Sequence, residues 1–170
     1  GERIYYILDA ESPVKEKPDA IVLERVKGDV SFLNVNFGYR KGTNVLKNIN
    51  IEVPKTSVIA ILGAPGSGKT SLVHLIPRFY DINAGSLTID GVDIRDVTLS
   101  SLRKNVGIVM QDVFIFTSTI RANIAYGAID ASTEQVTEAA KLAQMHDFIT
   151  SMPDGYDSYV GERGTTLSGG

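Results

Sequence analysis

The 170-residue sequence contains no cysteine, only two histidines and no long run of apolar residues. The absence of cysteine excludes disulfide bonds, thiolate metal sites and a cysteine nucleophile. The longest purely apolar run, Val58–Leu62, is far too short to span a bilayer. The sequence therefore predicts a polypeptide that is soluble by itself, and that associates with a membrane only through a partner or a further segment.

Basic and acidic residues nearly balance, with 17 of the former and 20 of the latter, for a formal net charge of -3 at pH 7. Because proteins that bind nucleic acid usually carry a basic surface, no nucleic-acid partner is predicted. The length allows one globular domain with a sizeable core and is too short for two full domains.

The first 27 residues are charged and interrupted by prolines, which is typical of a connector, and they include a short predicted helix at Glu2–Leu8. After them, apolar residues are spaced by two between Val30 and Tyr39, and a second β-rich run follows at Val45–Val53. This spacing predicts two strands.

Two short apolar runs, Val58–Leu62 and Gly107–Met110, predict strands that are buried on both faces, as in a parallel sheet. Between them, the Asp90–Gly91 pair predicts the turn of a hairpin over Gly85–Ile94. The middle of the chain therefore combines parallel and antiparallel patterns.

Helical patterns follow the first apolar run and fill the last third of the chain. One helix is predicted to start near Gly68 and to end or kink at Pro77, and a short one covers Leu99–Lys104. Ser132, with Gln135 three residues later, is a capping-box pattern that opens two further short helices.

One segment fits G-x-x-x-x-G-K-[ST] at every fixed position, between a predicted strand and a predicted helix. It consists of Gly63, Ala64, Pro65, Gly66, Ser67, Gly68, Lys69 and Thr70. Glycines let backbone N–H groups turn inward to bind an anion, and the helix adds the positive end of its dipole. The pattern predicts binding of a nucleoside triphosphate and leaves the NTPase family open.

Three further motifs in the same sequence order resemble those of ATP-binding cassette ATPases. Tyr39 resembles the A-loop aromatic, and Gln111 resembles the Q-loop glutamine. The segment Leu167–Gly170 resembles the signature motif; it consists of Leu167, Ser168, Gly169 and Gly170. The residues after Gln111 and the segment Val160–Gly164 are similar to the exporters of this family. The resemblance covers about residues 28–170.

The resemblance implies an α/β fold, with a P-loop NTPase core of the RecA type, an antiparallel β-subdomain and a helical subdomain at about residues 113–170. It makes residues 28–170 the N-terminal portion of a nucleotide-binding domain that is incomplete at its C-terminus. Residues 1–27 become the connector from a transmembrane domain that this sequence does not contain.

The resemblance also implies that ATP is the nucleotide and that Tyr39 stacks on its adenine, with Val45 packed beside the ring. Stacking on an aromatic contributes about 1–3 kcal/mol per base. The residues themselves leave two alternatives open: Tyr39 lines the core face of a strand, and Val45 is an ordinary buried strand residue.

The phosphates and Mg²⁺ are expected at the P-loop and at Ser71, the residue directly after it. Lys69 brings its charge to the β- and γ-phosphates, and Thr70 offers Mg²⁺ a hydroxyl oxygen. Gln111 is the second metal ligand that the resemblance implies and, with Lys69, a catalytic residue. The alternative for Gln111 is an ordinary polar residue after a strand.

The partners that the resemblance implies are a second nucleotide-binding domain and a transmembrane domain. Ser168, Gly169 and Gly170 would reach across a head-to-tail dimer to the partner's P-loop, or would merely cap a helix. The transmembrane domain would contact the regions of Gln111 and Glu162, although Glu162 and Arg163 could equally form a solvated charge pair. The site would lie at the cytosolic face of a membrane.

The sequence contains no Asp-Glu pair of the kind that ends the Walker B strand of this family, and no switch histidine in the family's position. Asp90 precedes a glycine in a turn and Asp112 precedes a valine, so neither replaces that pair. We therefore expect these 170 residues alone to bind Mg-ATP weakly and to hydrolyse it at near background. Turnover comparable to that of an intact domain would contradict this, and an open apolar strand edge is expected beside the P-loop strand.

Three functions remain in competition at this stage. The first is the ATP-driven motor domain of an exporter, the second a soluble cassette ATPase without a membrane partner, and the third a nucleotide-binding module without turnover. The transported substrate and the choice between homodimer and heterodimer cannot be read from these residues.

Overall fold

A computed structural model describes residues 12–40, 42–111 and 114–161. They belong to two compact units, one ending at Ile108 and the other beginning at Val109. The predicted helix Glu2–Leu8 lies outside the described residues. Across the described ranges, every helix is too short or too polar to cross a membrane.

The first unit contains a four-stranded antiparallel sheet. Its strands are β1 (Val30–Phe37), β2 (Leu46–Val53), β3 (Ala84–Ile89) and β4 (Val92–Asp93), in the order β2-β1-β3-β4. Both strands predicted between Val30 and Val53 are confirmed, as is the hairpin formed by β3 and β4. This sheet is the antiparallel β-subdomain that the sequence predicted.

Two helices cover the same unit, and both agree with the sequence pattern. Helix α1 (Lys69–Leu75) starts directly after Gly68 and ends just before Pro77. Helix α2 (Leu99–Lys104) is capped by the Thr98 side chain, which accepts a hydrogen bond from the Ser101 N–H. The apolar side chains of the sheet and the helices form one buried core that includes Phe32, Val35, Phe37, Leu46, Leu72, Leu75, Leu87, Ile89 and Leu102.

The two predicted buried strands are not strands in the structure, and this part of the prediction was wrong. Val58–Leu62 and Gly107–Met110 have no regular strand pairing, and the side chains of Val58 and Leu62 are 98% and 92% exposed. A strand needs neighbours to satisfy its backbone N–H and C=O groups. Within the described residues no segment pairs with either run, so the expected open strand edge beside the P-loop is not observed, and the apolar side chains of Val58 and Leu62 are exposed instead.

Residues 12–27 are fastened to the first unit. Val14 is buried, and Ile21 forms a parallel bridge with Val97. The Leu23 N–H also donates a hydrogen bond of 3.0 Å to Ser101 Oγ. These contacts tie the segment to α2 and to the residues just before it.

Arg78, which follows α1, is a buried charge with several acceptors. The residue is only 2% exposed and has a positive φ of 54°. Its Nε donates to Asp81 Oδ1 at 2.6 Å, and its two Nη atoms donate to the carbonyl oxygens of Lys15 and Ile94 at 3.0 and 3.5 Å. Arg78 therefore joins three separate parts of the first unit.

The turn between β3 and β4 also anchors the chain ahead of β1. Asp90 and Gly91 both have positive φ, 51° and 80°, as a type I′ turn requires. The Asp90 carboxylate accepts hydrogen bonds from the backbone N–H groups of Lys27, Gly28 and Asp29, at 2.6, 3.1 and 2.9 Å. These bonds, led by that from Lys27, lower the pKa of Asp90 below its usual value.

Asp90→Asn is expected to destabilise the fold by about 1 kcal/mol at neutral pH, because it removes the charge while keeping one acceptor oxygen and the positive φ. Because the pKa of Asp90 is lower in the folded state than in the unfolded state, where it is about 3.9, the carboxylate stabilises the folded state at pH values above about 3.9. This contribution disappears as the pH falls through the pKa of the folded state. Urea unfolding of both proteins between pH 7 and pH 2 tests this. A stability difference that stays constant below pH 4 would contradict it.

The second unit combines a small sheet with short helices. Strand β5 (Ser118–Thr119) pairs antiparallel with β6 (Tyr159–Val160). The helices are α3 (Ile120–Ile124), α4 (Thr133–Leu142) and α5 (His146–Thr150). These helices lie in the stretch, about residues 113–170, for which a helical subdomain is predicted.

The capping box at the start of α4 is confirmed. Ser132 Oγ accepts the Gln135 N–H at 3.3 Å, and Gln135 Oε1 accepts the Ser132 N–H at 2.8 Å. The two bonds satisfy donors that the first turn of a helix leaves free.

Candidate functional site

The P-loop of the first unit is shaped by two glycines. Gly66 and Gly68 have φ of 79° and 93°, and the Ser67 N–H between them closes a turn on the Ala64 carbonyl at 3.2 Å. Residues with a Cβ rarely adopt these φ values. The loop can therefore curl tightly just before α1, as anion binding by backbone N–H groups requires.

The space around Gly68 is also filled by side chains. A Cβ placed there would lie 2.8 Å from Leu46 Cδ2 and 3.1 Å from Val45 Cγ1. Val45 lies just ahead of β2 and is exposed, so the alternative of a buried strand residue does not hold. The structure instead places Val45 against the P-loop.

The Lys69 side chain lies back along the loop. Its Nζ donates to the carbonyl oxygens of Gly63 and Ala64, both at 2.8 Å, and lies 3.4 Å from Ser67 Oγ. Its charge is thereby held on the loop itself. Thr70, the next residue, is exposed in the first turn of α1.

Tyr39 lies beside the start of the same helix. It follows the end of β1 by two residues and is 52% exposed, whereas Phe37 is only 2% exposed. The core alternative therefore describes Phe37 and not Tyr39. The Tyr39 hydroxyl is hydrogen bonded to Ser71 Oγ over 2.8 Å. The structure thus brings together Tyr39, Val45 and the P-loop, and their roles in nucleotide binding stay predictions.

Two aromatic side chains contact Tyr39, and one of them, Tyr80, was not predicted from the sequence. The Tyr39 ring lies edge to face with Phe37 at 4.9 Å and with Tyr80 at 5.1 Å between ring centroids. The spacing by two along the predicted strand places Phe37 on the same face as Tyr39. Tyr80 follows α1 after a proline, where no periodic pattern marks it.

The remaining predicted site residues belong to the second unit or lie outside the described residues. Gln111 is exposed in a bend of the second unit. Glu162 and Leu167–Gly170 lie outside the described residues, as does Asp112. Their predicted roles therefore remain predictions.

The described residues contain no cluster of three or more histidine or acidic side chains that could hold a metal ion. Mg²⁺ bound at a triphosphate usually takes few protein ligands and keeps several waters and phosphate oxygens. The exposed Thr70 hydroxyl next to Lys69 fits that arrangement.

Comparison with known families gives one consistent result. The profile of the ABC transporter family matches residues 46–170, which contain the P-loop. Among solved structures, a bacterial Atm1-family ABC exporter with ATP bound matches with a TM-score of 0.91 and 43% sequence identity. That match covers 99% of this chain and 29% of the exporter chain.

Curated relatives agree. The uncharacterized ABC transporter ATP-binding protein YknU of Bacillus subtilis is 49% identical over 171 residues, with 100% of this chain and 29% of YknU covered. The ATP-dependent lipid A-core flippase of Syntrophus aciditrophicus is 46% identical over 170 residues, with 100% of this chain and 28% of the flippase covered. The chain thus spans less than a third of the length of these relatives.

Proposed function

Since this chain belongs to the ABC transporter family, we propose that it is the ATP-binding part of an exporter, in which Mg-ATP binding and hydrolysis drive transport across a membrane. The similarity to an Atm1-family exporter and to a lipid A-core flippase supports export. The α/β fold of the family accounts for the antiparallel sheet, the P-loop helix and the separate helical unit.

One observation carries this proposal. The P-loop, the Lys69 ammonium and the exposed Tyr39 ring occur together at the start of α1, and the Tyr39 hydroxyl reaches Ser71 directly after the loop. A phosphate site and an aromatic surface side by side match the two ends of a nucleoside triphosphate. ATP is the nucleotide that the relatives' names support.

The residues of this chain would bind and orient the triphosphate. The backbone N–H groups of the loop would hold the phosphate oxygens, and Lys69 would counter the charge that builds up on the β- and γ-phosphates. Bound Mg²⁺ would supply further charge neutralisation at those oxygens. We assign Thr70 as one protein ligand of the metal and Gln111, on the resemblance alone, as the other.

The proposed partners come from the family as well. Leu167–Gly170 would complete the site of a second nucleotide-binding domain in a head-to-tail dimer. The regions of Gln111 and Glu162 would contact a transmembrane domain, with residues 1–27 as the connector to it. The ATP site would then lie at the cytosolic face of the membrane.

The test uses the full-length gene product, purified with detergent and placed in lipid vesicles. We expect ATP hydrolysis that requires Mg²⁺ and stops when EDTA is added. Failure to bind ATP would overturn the proposal. Hydrolysis by a product that is recovered without detergent would support a soluble cassette ATPase instead, and ATP binding without hydrolysis would support a nucleotide-binding module.

A further inference from the structure

We propose that the Ser71 side chain is a positioning residue for base recognition: its hydroxyl fixes the Tyr39 ring in the orientation in which a nucleobase stacks on it. This inference rests on the proposed function, namely that Mg-ATP binds at the P-loop. It assigns a role to the Ser71 hydroxyl, whereas the proposed function uses only the backbone at this end of the phosphate site.

The Ser71 hydroxyl is itself held in place. Ser71 is buried, 5% exposed, in the first turn of α1. A buried side chain on a helix has few rotamers available. The 2.8 Å hydrogen bond therefore connects the half-exposed Tyr39 side chain to a hydroxyl group that the helix holds in place.

The Tyr39 backbone is held on both sides, since the Gly38 N–H donates to Asn83 Oδ1 at 3.1 Å and Arg40 forms a bridge with Thr43, so the anchor concerns the side chain. β1 ends at Phe37, and Tyr39 follows it in the loop between β1 and β2. Its ring is supported by edge-to-face contacts with Phe37 and Tyr80. These contacts restrict the position of the ring, and the hydrogen bond to Ser71 Oγ restricts its orientation.

The ring remains available to a ligand, since 52% of Tyr39 is exposed. A ring that is already oriented costs less conformational entropy when a base stacks on it than one that must be ordered during binding. The Ser71 bond should thus strengthen binding of any nucleobase and leave the binding of phosphates alone. This separates it from a hydroxyl that contacts the triphosphate.

The experiment measures the dissociation constants of Mg-ATP and of Mg-tripolyphosphate, which carries the phosphates without a base, in the full-length gene product. Tyr39→Phe keeps the ring and loses the hydroxyl, and Ser71→Ala loses its partner. We expect each to weaken ATP binding about three- to tenfold. Tyr39→Phe should bind tripolyphosphate like the wild type.

The double variant Tyr39→Phe/Ser71→Ala decides between the two roles of Ser71. If the hydroxyls act as a pair, the double variant loses no more ATP affinity than either single variant. Losses that multiply, or a Ser71→Ala variant that loses affinity for tripolyphosphate as strongly as for ATP, would overturn the inference. Single variants that bind ATP like the wild type would overturn it too.

Two further variants serve as references for the loss of ATP affinity. Tyr39→Ala removes the ring and should cost about ten- to a hundredfold in ATP affinity. Tyr126→Phe, a tyrosine of the second unit, is the matched control and should bind ATP like the wild type. A wild type that binds neither ATP nor tripolyphosphate would refute the proposed function itself, which distinguishes that failure from a failure of this inference.

Discussion

Lys69→Ala should lower ATP hydrolysis by the full-length gene product at least about a hundredfold. The Lys69 ammonium is the cation that the structure places on the P-loop, 2.8 Å from the carbonyl oxygens of Gly63 and Ala64. Phosphoryl transfer depends on positioning and on countering phosphate charge, and alanine supplies neither. Release of inorganic phosphate from Mg-ATP measures the effect.

Two further variants separate the position of the charge from its presence. Lys69→Arg keeps the charge, but the planar guanidinium is larger than an ammonium, so it should not fit between the same two carbonyl oxygens. We expect it to lose most of the activity as well. Lys104→Ala, at the exposed end of α2, is the control and should behave like the wild type. More than a tenth of wild-type activity in Lys69→Ala would contradict the assignment.

Arg78→Met should destabilise the first unit by about 3 kcal/mol, because it leaves the Asp81 carboxylate and two backbone carbonyl groups without their charged donor. For a chain of this size that corresponds to a fall in melting temperature of about 6–12 °C. Thermal unfolding followed by far-UV circular dichroism measures it.

The location of the effect is as informative as its size. Hydrogen exchange should speed up most in residues 12–23 and in the turn after α1, since Arg78 bonds the Lys15 carbonyl and lies in that turn. Arg25→Met removes an exposed arginine of the same unit and should change stability by less than about 0.5 kcal/mol. Equal effects of the two substitutions would show that the buried contacts of Arg78 contribute little.

The features that could be predicted from the sequence are those that neighbouring residues determine. The Asp90–Gly91 turn, the capping box at Ser132 and the start of α1 after Gly68 each depend on backbone chemistry within a few positions. The P-loop is also a local feature, because its glycines and Lys69 lie close together in the sequence. The turn, the capping box and the start of α1 are confirmed by the structure.

The features that the sequence did not reveal depend on contacts between distant residues. The apolar run Val58–Leu62 has the composition of a buried strand, but a strand also needs partners, and composition does not supply them. Arg78 looks like a surface residue until the carbonyl groups of Lys15 and Ile94 are placed around it. The contact of Tyr80 with Tyr39 likewise exists only once α1 and β1 are packed.

The fastening of residues 12–27 has a mechanical consequence. Three attachments are spread over this short segment. They are the bridge from Ile21 to Val97, the hydrogen bond from Leu23 to Ser101 and the hydrogen bond from Arg78 to the Lys15 carbonyl. A load applied ahead of this stretch would be shared among these bonds and passed to α2 and the turn after α1. Residues 12–27 would then follow the movements of α2 and of the turn after α1, because separating the segment from them would require all of these bonds to break.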